Sequence, residues 1–146
     1  MTMNIIYIEK NAADKFILVV KYKGVLYACI VDADEIALYM KLDKASRNGG
    51  YSLRFKPNKA ERENLIFNHK SFPLCDTGKF KAMYKRSKYN RGEIVEREVF
   101  RKFNQYWKKD TTPFWIDGDI TIDGIKYQIK YEKATFITEA QAKRLG

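Results

Sequence analysis

The sequence predicts an α+β fold, a mixed β-sheet flanked by helices, and three observations carry that prediction. Two apolar runs of strand length meet at a Lys-Gly turn, a second hairpin closes on Asp123-Gly124, and a long amphipathic helix lies between them. At 146 residues, with 45% hydrophobic content, the chain is the size of one ordinary domain and carries enough apolar surface for a core.

In chain order, "NIIYI" is a weak first strand. The runs "KFILVVKY" and "VLYACIVD" are two further strands on either side of Lys23-Gly24, with Gly24 supplying a positive φ. In "DADEIALYMKL", Asp32 is an N-cap and Glu35 follows three residues on, which predicts a helix over 33–42. Gly49, Gly50 and Pro57 punctuate a loop, and "KAERENLIF" forms a short second helix. The stretch "SFPLCDTG" reads as a loop and as the best internal boundary, separating an N-terminal strand and helix region (1–78) from a C-terminal segment (79–146).

The formal charge of +10 is concentrated. Residues 1–40 carry a net −1, residues 41–91 a net +10 and residues 92–146 a net +1. A basic segment this localised is a footprint for a polyanion, with nucleic acid as partner and a solubilising surface as the plain alternative. Within it, Lys79, Lys81, Lys85, Arg86, Lys88 and Arg91 interleave with Phe80, Tyr84 and Tyr89. Cations neutralise phosphates, while the rings either stack on bases or brace the Lys and Arg stems. No run of about 18 apolar residues could span a bilayer, and the N-terminus lacks signal-peptide patterning, so a cytoplasmic protein without a membrane partner is expected. Cys29 and Cys75 are then free thiols.

From Gly92, "GEIVEREVFRKFNQYW" puts Val95, Val99, Phe103 and Tyr106 on one helical stripe. Glu96 falls on one flank of the stripe and Glu98 on the other, while Arg97 and Arg101 face away. A carboxylate at such a rim is either a surface residue or a side chain aimed at a site. The turn at Asp123-Gly124 is of a type that needs φ > 0 twice, and it pairs Ile122 with Ile125 and Asp119 with Gln128. One hairpin face is therefore Asp119, Thr121, Lys126, Gln128 and Lys130; the other is Ile120, Ile122, Ile125, Tyr127, Ile129 and Tyr131. The apolar face should pack on the Glu96 helix or on a helix begun by Thr138, where "TEAQ" is a capping box.

The polar face brings a carboxylate opposite an amide oxygen, with an ammonium beside them. Hard divalent cations take a few oxygen ligands, and an ammonium next to a coordinated water orients it and offsets charge developing on a phosphate. That set is sufficient for phosphodiester hydrolysis. Other catalytic sets are missing: His69 has no Cys or His at ligand spacing, and the chain carries neither a phosphate-cradling glycine loop nor a nucleophile elbow.

At these residues the chain resembles the PD-(D/E)xK (restriction-endonuclease-like) nuclease superfamily in its D…QxK variant. The "GDI" motif, its Asp nine residues before the Gln of "QIK", carries the likeness, and "RGEIVERE" is similar to the helix opening of archaeal Holliday-junction resolvases. The resemblance spans about residues 90–136 and implies an α/β-type nuclease core. It further implies that Asp119, Gln128, the Ile129 carbonyl and Glu96 hold Mg²⁺ or Mn²⁺ while Lys130 positions the attacking water. Gly118 stands where many members have Pro, Asp117 competes with Asp119, and Gln128 replaces a more usual Glu. The family's later strand has no room before Gly146, so the N-terminal strands or a second copy, in a homodimer, complete the sheet.

The expected function is a metal-dependent endonuclease acting on DNA, restriction-like or specific for junctions. The alternatives are an inactive nuclease-fold DNA-binding module or a regulatory protein of a phage or mobile element, and a protein whose basic surface meets an acidic partner.

Overall fold

The computed structural model describes residues 13–44, 51–107 and 119–136. Five strands form one mixed sheet: β1 (Lys15–Tyr22), β2 (Val25–Asp32), β5 (Lys70–Asp76), β6 (Asp119–Ile122) and β7 (Ile125–Tyr131), in the order β5-β2-β1-β7-β6. All neighbours run antiparallel except β1 and β7, which are parallel. β3 (Met40–Lys44) and β4 (Tyr51–Phe55) form a separate two-stranded sheet. The helices are α1 (Lys59–Asn68), α2 (Thr77–Arg86) and α3 (Arg91–Trp107). The strand "NIIYI" and the helix from Thr138 fall outside the described residues.

The main sheet is covered on both faces, which is why β1 reads as a continuous apolar run rather than an alternating one. One face joins Ile17, Val19, Ile120, Ile122, Tyr127 and Ile129 to Phe80 of α2 and to Ile94, Val95, Val99 and Phe103 of α3. The other joins Phe16, Leu18 and Val20 to Leu53 and Phe55 of β4, Leu65 and Ile66 of α1, and Phe136. The chain after β7 closes this second layer, with the Phe55 amide donating to the Ala134 carbonyl and the Phe136 amide to the Leu53 carbonyl, each at 2.9 Å. Strands from before and after residue 78 thus share one sheet, and it is the N-terminal β1 that flanks β7.

Local chemistry accounts for the well-read elements. Lys23 (φ 49°) and Gly24 (φ 78°) make the tight turn between β1 and β2. At α1, Asn58 accepts from the Glu61 amide at 2.8 Å and the Glu61 carboxylate accepts from the Asn58 amide at 2.9 Å, a full capping box.

Three expectations are corrected. The helix expected over 33–42 is a 3-10 helix, Ala33–Tyr39, that ends where Met40 enters β3. Its buried residues, Ile36 and Tyr39, are three apart, the period of that tighter helix, and Asp32 pairs with Lys15 at 3.2 Å instead of capping. The loop expected between residues 43 and 58 contains β4. The "SFPLCDTG" loop is instead β5 running into α2. Pro73 is tolerated there because β5 is an edge strand whose register against β2 shifts beside Tyr27, the partner of Pro73.

Candidate active site

The second hairpin has the expected register. Asp123 (φ 52°) and Gly124 (φ 79°) form the turn, and the pairs run from Ile122↔Ile125 to Asp119↔Gln128. Across the parallel ladder Phe16 pairs with Gln128 and Leu18 with Lys130, so Gln128 and Lys130 share the Phe16 face. Gln128 is 8% exposed, and none of the described residues donates to its buried Oε1. The Lys130 Nζ donates to the Thr135 carbonyl at 3.4 Å and stands 5.1 Å from the centre of the Phe136 ring. Asp119 lies opposite Gln128 in the backbone; its side chain, like all of Asp117, lies outside what is described.

Glu96 arrives from the other face. The helix α3 packs its buried stripe on the isoleucine side of the sheet and leaves Glu96 half-buried at the flank. Because β6 starts opposite Gln128, no described strand borders the far edge of residues 129–131. A cavity of about 450 Å³ opens there, lined by Glu96, Ile129, Lys130, Arg91 and Glu132 among others. Glu96, Ile129 and Lys130 are thus brought together, while Gln128 does not line this cavity. Glu132 is a carboxylate that sequence reading missed, although it continues the alternation Gln128, Lys130, Glu132. It accepts from the Lys21 amide at 3.0 Å and pairs with Arg62 at 3.2 Å, so it fastens β1 and α1 to the end of β7.

The basic segment is a helix and its exit. Asp76 caps α2 by accepting from the Lys79 amide at 2.7 Å, and Phe80 alone of its residues is buried. Lys79, Lys81, Lys85, Arg86, Lys88 and Arg91 are all exposed. No carboxylate among the described residues pairs with any of the six. The rings brace cations: the Arg91 guanidinium lies 5.2 Å from the Tyr84 ring centre, and Arg97 lies 4.1 Å from that of Tyr89.

Neither cysteine is poised as a nucleophile. Burial pushes the Cys29 thiol up to about 12 and raises Cys75 as well. His69 sits between the Asn64 carbonyl at 3.3 Å and Glu35 at 3.0 Å, a satisfied residue. Asp32, Asp34 and Glu35 bring carboxylate oxygens within 4.8 Å of one another, yet Asp32 pairs with Lys15 and Glu35 with His69, the pattern of a solvated acidic corner. No helix among the described residues is long and apolar enough to cross a membrane. Compared with protein-family models, curated proteins and solved structures, the chain matches none.

Proposed function

We propose that the chain is a Mg²⁺- or Mn²⁺-dependent deoxyribonuclease that hydrolyses DNA phosphodiester bonds, in the manner of restriction or junction-resolving enzymes. Gln128 carries the reading: its buried Oε1 sits at the ladder position opposite Asp119 and meets no donor among the described residues. A buried oxygen left without a donor costs about 1–3 kcal/mol, and coordination of a hard cation would remove that cost.

On this reading Asp119, Gln128, the Ile129 carbonyl and Glu96 hold the cation. When bound, it supplies the positive charge that makes water a nucleophile at neutral pH. Lys130 holds the attacking water through its ammonium protons and offsets negative charge as it develops at the phosphate. The cations of α2 and its exit grip the DNA backbone and contribute no base readout.

The test is plasmid and branched-DNA cleavage in Mg²⁺, Mn²⁺ or EDTA. Wild type cuts with metal and is silent in EDTA, and Asp119→Ala and Lys130→Ala each cut at least about 100-fold more slowly. Equal cutting by wild type and both variants would remove the proposed site. One observation favours a second reading, a DNA-binding module without turnover: Gln128 does not line the cavity that Glu96 and Lys130 share. That module shifts DNA in a gel with steep salt dependence and never cuts it.

A further inference from the structure

A second cavity, of about 580 Å³, lies beside the first and shares Arg91 and Tyr131 with it. Five cationic residues line it: Lys21 from the end of β1, Lys23 from the turn, Arg62 from α1, Lys81 from α2, and Arg91. Arg62 is balanced by Glu132, whereas no described carboxylate pairs with Lys21, Lys23, Lys81 or Arg91. Three of them stand near tyrosine rings instead, Lys21 at 5.7 Å from the centre of Tyr131, Lys23 at 5.3 Å from Tyr22 and Arg91 at 5.2 Å from Tyr84. Behind the wall, the buried Tyr131 hydroxyl and Arg62 Nε have no hydrogen-bond partner among the described residues. The Thr77 amide and hydroxyl both donate to the Gly24 carbonyl, at 2.9 and 3.3 Å, which ties the turn to the start of α2 and fixes one side of the cavity.

We propose that this cavity holds the terminal phosphate of a nucleic-acid strand. Four cations that no described carboxylate balances surround one hollow, more than a single phosphodiester charge would meet, and a terminal phosphate brings about −1.5 to −2 and three acceptor oxygens. Lysine and arginine are the residues that take phosphate, and here the tyrosine rings hold three of their stems at the hollow. The space is that of a small-ligand site, large enough for one nucleotide. The strand as occupant rests on the nuclease reading above; the phosphate preference does not. An end held here would feed the neighbouring cavity of Glu96 and Lys130 across their common wall.

The test measures binding in EDTA, by fluorescence anisotropy, of one oligonucleotide with a 5′-phosphate, a 3′-phosphate or hydroxyls at both ends. One phosphorylated form is expected to bind about 10-fold tighter than the hydroxyl form, the ratio that one charge-assisted hydrogen bond supplies. The Lys21→Gln/Lys23→Gln double variant abolishes that ratio. Lys59→Gln/Lys126→Gln removes the same charge away from the cavity and leaves the ratio intact. Equal affinity for all three ends, or a ratio untouched by the Lys21/Lys23 variant, overturns the proposal. So does displacement of the strand by a free mononucleotide as effective as the phosphorylated strand itself, which would make the cavity a nucleotide site. Because metal is withheld, a failed cleavage assay leaves this result standing, and the converse also holds.

Discussion

Gln128 is where structure and chemistry disagree most plainly. A glutamine in the middle of a sheet, beside Phe16 and 8% exposed, is an expensive choice unless its oxygen is used. If the oxygen serves a cation, stability and activity pull in opposite directions at this position. Gln128→Met keeps the volume and removes an acceptor that no described residue satisfies, so the metal-free variant should gain about 1 kcal/mol in urea unfolding. The same variant should lose the stabilisation that Mg²⁺ gives wild type by binding the folded state. A variant less stable than wild type in EDTA would mean that the Gln128 oxygen already has a donor and is structural. Tyr131 carries a related burden: burial, then the nearby Glu132 charge, pushes its phenol up to about 12, so it stays a neutral donor throughout the ordinary pH range.

Among the elements, the hairpins were legible because two adjacent residues determine each of them. Positive φ at Asp123 and Gly124 sets the register, and the register sets which side chains share a face. Gly124→Ala should therefore cost about 1 kcal/mol of stability through its φ of 79° alone, since nothing lies within 4 Å of the added Cβ. Gly92→Ala, in the first turn of α3 where φ is helical, should have the opposite sign; urea midpoints for the pair decide it. The α3 stripe was readable for the same local reason, and so was the Glu96 flank. What stayed hidden has no local signal. β3 and β4 are short segments held by each other and by the chain near Phe136, and β5 carries a proline that reads as a loop until its edge position is known. The cationic cavity was equally invisible, because Lys21, Lys23 and Arg62 are distant in sequence from Lys81 and Arg91. Arg62, Lys81 and Arg91 lay in the basic segment 41–91 that charge counting exposed, but Lys21 and Lys23 lay outside it.

At the scale of the molecule, the decisive contact is the parallel pairing of β1 with β7, which joins residues more than 100 positions apart. Neither strand announces it, since parallel partners need a crossover and carry no turn signature. Its consequences reach the site: β1 covers one edge of β7, no described strand borders the other edge beyond Gln128, and Glu132 fastens Lys21 and Arg62 at the end. The segment 79–146 therefore holds the candidate catalytic residues without the strand that supports them. Its β6–β7 hairpin would face α3 with one apolar side while Gln128 and Lys130 lost the Phe16 layer, and two strands alone are marginal in water. Expressed alone, 79–146 should lack cooperative unfolding and dispersed amide resonances, whereas adding residues 1–78 in trans should restore both if the halves associate through β1 and β7. A fragment 79–146 that folds cooperatively by itself would mean that the parallel pair is an accessory to the hairpin and not its support.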